Sequence, residues 1–217
     1  MVDLPRQTNY ELAFAKALER VRSVPPENLD RLGVESLPDG RLRLAVLEDQ
    51  FLVDREAGTV TLADSSDVRV GWGILTLHYL ISPSEGLESE PTISFAQIPD
   101  GMGYVGPYQG RVIQRFLHTA GRNETSYREA ARKLRGVAVR AGQAAYRFAV
   151  FPTFPVTIIW HAGDEERFDG LTALSGDEGL PPGATMLYTV DAQERFSVED
   201  IVVMSELLVG RLSGKGW

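Results

Sequence analysis

Three histidines are the side chains of this sequence best suited to acid–base or metal chemistry. His78 lies in the apolar segment 75–80, and we interpret it as a core histidine satisfied by hydrogen bonds, with a ligand contact or general base as the alternative. His161 follows Trp160 at a predicted strand end and precedes the acidic residues 164–166. A metal site needs converging ligands, and the histidines show no ligand spacing, so the sequence predicts no metal site.

A glycine-rich segment, residues 98–110, contains further candidate residues. Its run Gly101-Met-Gly-Tyr-Val-Gly106 matches the dinucleotide fingerprint literally. That fingerprint works only between a buried strand and a helix of a parallel βαβ unit, and neither is predicted here. We therefore interpret the glycines as permitting unusual backbone conformations in a loop. Asp100, Tyr104 and Tyr108 on this loop are candidate ligand contacts, since tyrosine joins apolar area to a polar tip.

The candidate ligand-binding residues are thus His78, Asp100, Tyr104 and Tyr108. If a ligand site exists, we expect the 98–110 loop to form one wall and the helix that carries His78 to form the floor. A plain turn that packs its tyrosines on a neighbouring helix is the alternative. No catalytic residue is predicted, because the sequence has no nucleophile elbow, no P-loop and no cysteine. The sequence identifies no cofactor.

Helices and strands that would position these residues follow one another without a regular βαβ alternation. One predicted helix, from about residue 64 to residue 81, is apolar nearly all round and is expected to be buried. Gly71 and Gly73 inside it indicate that another element approaches its backbone closely. The other predicted helices span about 8–24, 108–119 and 125–134 and begin again near 197, and the predicted strands lie at 41–47, 51–54, 59–62, 92–95, 146–150, 156–160 and 184–190.

This order predicts one α+β domain over residues 1–217. We expect a mostly antiparallel sheet with a β-meander, packed against the buried central helix and against amphipathic N- and C-terminal helices. The acidic, Gly/Pro-rich residues 163–183 are expected to form a long exposed loop.

Composition limits the partners of the chain. The net charge is −8, from 22 basic and 30 acidic residues, so the chain repels a phosphate backbone and no nucleic-acid partner is expected. The basic cluster 128–140 is interpreted as a solvated helix face. No apolar run reaches the roughly 18 residues of a membrane helix, and residues 1–6 show no signal-peptide pattern. We therefore expect a cytoplasmic protein with no membrane partner.

Several short segments occur in a characteristic order. They are Leu75–Leu80, Ile93–Gly101, Phe151–Trp160 with Gly163-Asp-Glu165, and Ala184–Tyr188 followed by Phe196–Asp200. Together they resemble domain-of-unknown-function family 3786 over nearly the whole chain. The resemblance implies a setting in anaerobic bacteria and archaea, where some members carry an iron–sulfur domain of the kind seen in corrinoid proteins of one-carbon metabolism. It implies no established activity and no catalytic residues.

We therefore expect a non-enzymatic binding or accessory module for a small ligand or a partner protein in anaerobic, corrinoid-linked metabolism. The alternative is an enzyme that acts on a small metabolite with His78 or His161 as general base. A structural homodimer is a third alternative.

Overall fold

The computed structural model describes residues 5–64, 66–85, 91–163 and 182–217. Its helices and antiparallel strands confirm the α+β class. The helices are α1 (Pro5–Val21), α2 (Pro26–Arg31), α3 (Val70–Leu80), α4 (Val105–Tyr108), α5 (Arg115–His118), α6 (Glu124–Lys133), α7 (Ala192–Arg195) and α8 (Val198–Leu212).

The strands form two antiparallel sheets, where one sheet was expected. The first has the order β1-β2-β3-β4 and is the predicted meander, and the second has the order β5-β9-β8-β7-β6. The strands are β1 (Glu35–Ser36), β2 (Leu42–Val46), β3 (Asp49–Asp54), β4 (Thr59–Leu62), β5 (Thr92–Ser94), β6 (Val137–Ala138), β7 (Ala144–Phe151), β8 (Phe154–His161) and β9 (Gly183–Thr189).

A backbone contact joins the two sheets directly after β2. Leu47, which has a positive φ of 52°, donates its N–H to the carbonyls of Ala149 and Val150 in β7. One hydrophobic core then includes side chains of both sheets, of α1 and of α8. The division into one domain over residues 1–217 stays a prediction.

The central helix α3 lies in this core, as its all-round apolar sequence predicts. Eight of its eleven residues are buried, and Trp72 is 1% exposed. The close approach indicated by its glycines is confirmed: a Cβ on Gly71 would lie 3.2 Å from Leu207 Cδ1 of α8, and one on Gly73 would lie 3.1 Å from Phe14 Cε2 of α1. Glycine therefore lets α1 and α8 pack on opposite parts of α3.

The 98–110 segment is not the glycine-permitted loop that the sequence predicts. From residue 101 the chain is helical: the 3₁₀ turn Gly101–Tyr104 leads into α4, a π-helical stretch (Gln109–Gln114) and α5. The positive φ of this region falls on Asp100, at 60°, and none of the four glycines takes one. A Cβ on Gly101 would lie 3.0 Å from the Phe95 carbonyl oxygen, so only that glycine is required by close contact.

A buried arginine ties α7 to the β7–β8 turn and to α3. The Arg195 side chain is 1% exposed and donates to the Thr153 carbonyl (2.7 Å) and to Thr153 Oγ1 (2.9 Å). Its guanidinium lies 5.4 Å from the ring centre of Tyr79, and Asp191 Oδ2 lies 3.9 Å from its Nη1. Burial lowers the pKa of Arg195, while Tyr79 and Asp191 act in the opposite direction.

Candidate functional site

A cavity of about 210 Å³ lies between the start of α3, the C-terminal part of α8 with the residues that follow it, and Arg115 at the start of α5. Four of its lining side chains are basic and one is acidic, in a chain whose net charge is −8. We call it the basic cavity. It is lined by Arg69, Trp72, Arg115, Glu206, Leu207, Gly210, Arg211, Lys215 and Gly216.

Two of the four cations have no acidic partner within the described residues. Arg115 Nη1 donates to Glu206 Oε1 at 3.2 Å, and Arg211 is paired with Glu48. Arg69 and Lys215 form no such pair anywhere in the described ranges, so their charges are available to a ligand. The basic cavity is a solvent-accessible recess, and Arg69 and Lys215 are exposed at its edge. It therefore combines a concave surface with positive charge that no described acidic side chain compensates, an arrangement that attracts an anion.

Gly210 forms the surface over which two of these cations converge. A Cβ built on Gly210 would lie 3.7 Å from Arg115 Nη2 and 3.7 Å from Lys215 Cδ, both ordinary contact distances. Arg115 Nη2 thus lies beside the Gly210 backbone in the cavity lining and has no hydrogen-bond partner among the described residues, while Nη1 is held by Glu206. The helix α3 adds its N-terminal turn, in which Arg69 stands at the N-cap and makes no side-chain capping hydrogen bond.

The segment after α8 contributes Lys215 and Gly216 to the lining of the basic cavity, and Trp217 fixes this segment to the fold. Its ring packs edge-on against Trp72, with 5.3 Å between ring centres, and its Nε1–H donates to Asp49 Oδ2 at 2.6 Å. Arg211 stacks on the same ring, with Cζ 4.0 Å from the ring centre. Arg211 therefore acts as a structural cation that joins α8 to Glu48 of the meander sheet, and the ligand-facing charges are those of Arg69, Lys215 and Arg115.

Tyr108 is the one sequence-predicted candidate that lines a described cavity. A cavity of about 120 Å³ lies between the 105–113 helical segment, Phe95 and β9, and Tyr108 stacks on Phe95 with 4.0 Å between ring centres. The opposing wall is β9 and not the helix that carries His78. Asp100 and Tyr104 are exposed and do not line this cavity, so the structure does not bring the four predicted residues together.

The Tyr108 hydroxyl belongs to a buried chain of hydroxyl groups. Ser205 Oγ donates to the Ile201 carbonyl (2.7 Å), so Tyr188 must donate to Ser205 (2.6 Å) and Tyr108 must donate to Tyr188 (3.0 Å). Burial raises the pKa of Tyr108 well above its ordinary value and raises that of Tyr188 to about 12. Both side chains are therefore neutral structural groups at physiological pH.

His78 is half-buried and paired with a carboxylate. Its Nδ1 lies 3.0 Å from Asp200 Oδ1. Asp200 also completes the capping box of α8, since its Oδ2 accepts from the Ser197 backbone N–H at 3.2 Å and from the Ser197 hydroxyl at 2.8 Å. Burial raises the pKa of Asp200, but the hydrogen bonds from His78 and Ser197 outweigh it and leave that pKa below its ordinary value. His78 therefore forms a hydrogen bond, as the sequence predicts, but its side chain is 29% exposed, so it is not the core histidine that was expected. Its role as a ligand contact stays a prediction.

His161 lies at the end of β8, with Nε2 3.4 Å from Thr185 Oγ1. The acidic residues 164–166 that follow it, and most of the predicted 163–183 loop, lie outside the described residues. Within the part of the chain that the structure describes, no three acidic or histidine side chains are arranged to hold a metal ion. Among the described helices, none is both long enough and apolar enough to span a bilayer.

Sequence reasoning did not identify the residues of the basic cavity. They come from four separate parts of the chain, and arginines on a helix are usually solvated. The one available signal is the spacing of Arg111 and Arg115, which lie four residues apart on one helical segment of an otherwise acidic chain. Lys215 lies beyond the end of α8, so its distance of four residues from Arg211 indicates no common helix face.

Residues 25–169 match the family described as Domain of unknown function (DUF3786). The chain belongs to this family. The match includes Arg69, Trp72 and Arg115 of the basic cavity and ends before β9 and α8, so it is shorter than the nearly complete resemblance seen in the sequence. No curated protein and no solved structure matches the chain.

Proposed function

We propose that this protein is a non-enzymatic binding module for a small anionic ligand, held in the basic cavity. The single observation that carries the proposal is a cavity of about 210 Å³ in which Arg69 and Lys215 have no acidic partner among the described residues. Cations that face a common cavity repel one another, although solvent screens this repulsion because Arg69 and Lys215 are exposed. A bound anion removes that repulsion and adds charge-assisted hydrogen bonds.

The volume of the basic cavity limits the ligand. A small polyatomic anion, or the anionic end of a larger molecule, fits a cavity of about 210 Å³. A corrin macrocycle is far larger and would enter only through a peripheral carboxylate or phosphate group. The cavity volume therefore does not test whether the protein acts in anaerobic, corrinoid-linked metabolism, and that role stays a prediction.

Isothermal titration calorimetry with small anions tests the proposal. We expect sulfate and succinate to bind the wild-type chain at low ionic strength and the neutral analogue succinamide to show no heat. The double variant Arg69→Gln, Lys215→Gln should lose at least tenfold in affinity, because both uncompensated charges are gone.

The control is the double variant Arg132→Gln, Lys133→Gln, which removes the same charge from exposed positions at the end of α6. It should keep the wild-type affinity. Equal losses in the two double variants would mean that anions respond only to the overall charge, and the proposed site would be wrong.

An enzyme with His78 as general base is the second candidate, and the pairing of His78 with Asp200 favours it. A carboxylate that accepts from Nδ1–H fixes the tautomer in which Nε2 can accept a proton. His78 lines neither the basic cavity nor the cavity beside Tyr108, so this candidate ranks second. A metabolite screen for turnover tests this candidate. If the protein turns over a compound, His78→Gln abolishes the activity and the double variant Arg69→Gln, Lys215→Gln keeps it, the enzyme becomes the better-supported function.

A further inference from the structure

Among the described residues, Glu206 is the only acidic side chain that lines the basic cavity, and its carboxylate is shared between two arginines. Oε2 accepts from Arg111 Nη2 at 2.5 Å, and Oε1 accepts from Arg115 Nη1 at the longer distance of 3.2 Å. Arg111 does not line the cavity and Arg115 does. The carboxylate is therefore held more closely by the arginine outside the cavity than by the one inside it.

The Arg115 guanidinium is in consequence half engaged. Nη1 donates to Glu206, while Nη2 lies beside the Gly210 backbone and has no hydrogen-bond partner among the described residues. An arginine binds a carboxylate or phosphate best through two parallel N–H donors. An anion in the basic cavity reaches that geometry through the terminal pair Nη1 and Nη2 when Glu206 gives up Arg115, and Arg111 offers the displaced carboxylate a partner that is already in place.

We infer that Glu206 is an internal competitor for the anion at the basic cavity, and that the ligand is a small dianion, either a phosphate-type group or a dicarboxylate, which takes Arg115 from it. The inference rests on the anion-binding function proposed above. A monoanion only replaces the charge that Glu206 already supplies to Arg115. A dianion also satisfies Arg69 and Lys215, and its attraction to them scales with its charge.

Glu206 also repels whatever enters the cavity. The Arg115 and Glu206 side chains are 25% and 29% exposed, so their interactions are screened less than those of fully exposed charges. Replacing Glu206 by glutamine removes a negative charge that acts twice as strongly on a dianion as on a monoanion. The variant should therefore bind both classes more tightly, with the larger gain for the dianion.

The experiment titrates wild type and Glu206→Gln with two matched pairs of probes. Sulfate with methyl sulfate represents the phosphate-type group, and succinate with butyrate represents the dicarboxylate. We expect Glu206→Gln to bind sulfate or succinate at least fivefold more tightly than wild type and to bind the matching monoanion less than threefold more tightly. Whichever dianion binds more tightly identifies the ligand group.

The matched control is Glu124→Gln, which has the same change of charge and breaks the surface ion pair with Arg128 on α6. It should leave both affinities within twofold of wild type. A second variant, Arg111→Gln, should weaken sulfate binding, because Glu206 then pairs with Arg115 alone. Its own control is Arg122→Gln, which removes an equal charge from an exposed arginine that does not line the cavity.

The outcomes separate this inference from the function on which it rests. If wild type binds sulfate or succinate and Glu206→Gln binds them equally well or less well, Glu206 is a positioning residue and the inference is overturned. If neither protein binds any of the four probes, the proposed anion-binding function itself is wrong. A gain in the Glu124→Gln control as large as that in Glu206→Gln would also overturn the competitor role.

Discussion

Replacing Gly210 by alanine should stabilise the protein and weaken its anion binding at the same time. Gly210 lies inside α8, does not have a positive φ, and has room for a Cβ, whose nearest neighbours would be 3.7 Å away. Alanine is favoured over glycine in a helix interior by about 0.5–1 kcal/mol. For a chain of this length that corresponds to a rise in melting temperature of roughly 1–4 °C.

The same methyl group stands where the anion must lie. A ligand oxygen that accepts from Arg115 Nη2 at about 2.9 Å and a Cβ 3.7 Å from that nitrogen compete for one space above Gly210. We expect the affinity for sulfate to fall about tenfold, which is 1.4 kcal/mol. Opposite signs for stability and binding distinguish steric blocking from a general loss of structure.

Thermal unfolding and calorimetric titration of Gly210→Ala measure the two effects on one preparation. Gly106→Ala is the control, because Gly106 lies in α4 and a Cβ there would meet nothing within 4 Å. That variant should leave sulfate binding unchanged. Unchanged binding by a stabilised Gly210→Ala protein would refute the placement of the anion above Gly210.

Three further predictions concern the groups that hold the fold around the site. Arg195→Met should destabilise the protein by about 3–5 kcal/mol in urea unfolding, because Asp191 keeps a buried charge without its cation. Adding Asp191→Asn to that variant should restore part of the lost stability. Equal stability of Arg195→Met and wild type would contradict the buried pair. Asp200→Asn should cost stability at neutral pH. Because the pKa of Asp200 is lowered in the folded protein, Asp200 contributes stability above its unfolded pKa of about 3.9. The difference in unfolding free energy between the variant and wild type should therefore shrink as the pH falls through the folded pKa. A difference that is constant from pH 7 to pH 2 would contradict the pairing with His78. Tyr188→Phe should cost about 1–3 kcal/mol, and more than Tyr108→Phe, because only the former leaves a buried donor without an acceptor; the reverse order would contradict the donor directions of the hydroxyl chain.

Local patterns in the sequence predicted the elements well where one physical cause dominates. A helix that is apolar on all sides must be buried, and the structure confirms that α3 lies in the core. The helix begins at Val70, however, and not near residue 64 as predicted. The 98–110 segment was predicted wrongly, since glycines in a sequence suggest positive φ but also permit a helix whose neighbours are close. The structure places the positive φ on Asp100.

The candidate site was harder to predict because its residues are joined only by the packing of α3 against α8. Arg69 precedes one helix, Arg115 begins the short helix α5, and Lys215 follows a third helix. No spacing along the chain relates these three positions, so the uncompensated charge becomes visible only when the ion pairs are known. Tyr108 was found because aromatic residues beside glycines have local significance, and its role in the structure is packing and hydrogen bonding.

The indole resonances of the three tryptophans in a ¹H–¹⁵N NMR titration with sulfate test the central claim most directly. Trp72 lines the basic cavity, Trp217 contacts Trp72 and Arg211, and Trp160 donates to the Gly121 carbonyl away from the cavity. We predict that the Trp72 and Trp217 indole signals shift along one saturable curve while the Trp160 signal stays fixed. Saturable sulfate binding that leaves Trp72 and Trp217 unshifted, or that shifts all three signals equally, would contradict a ligand in the basic cavity.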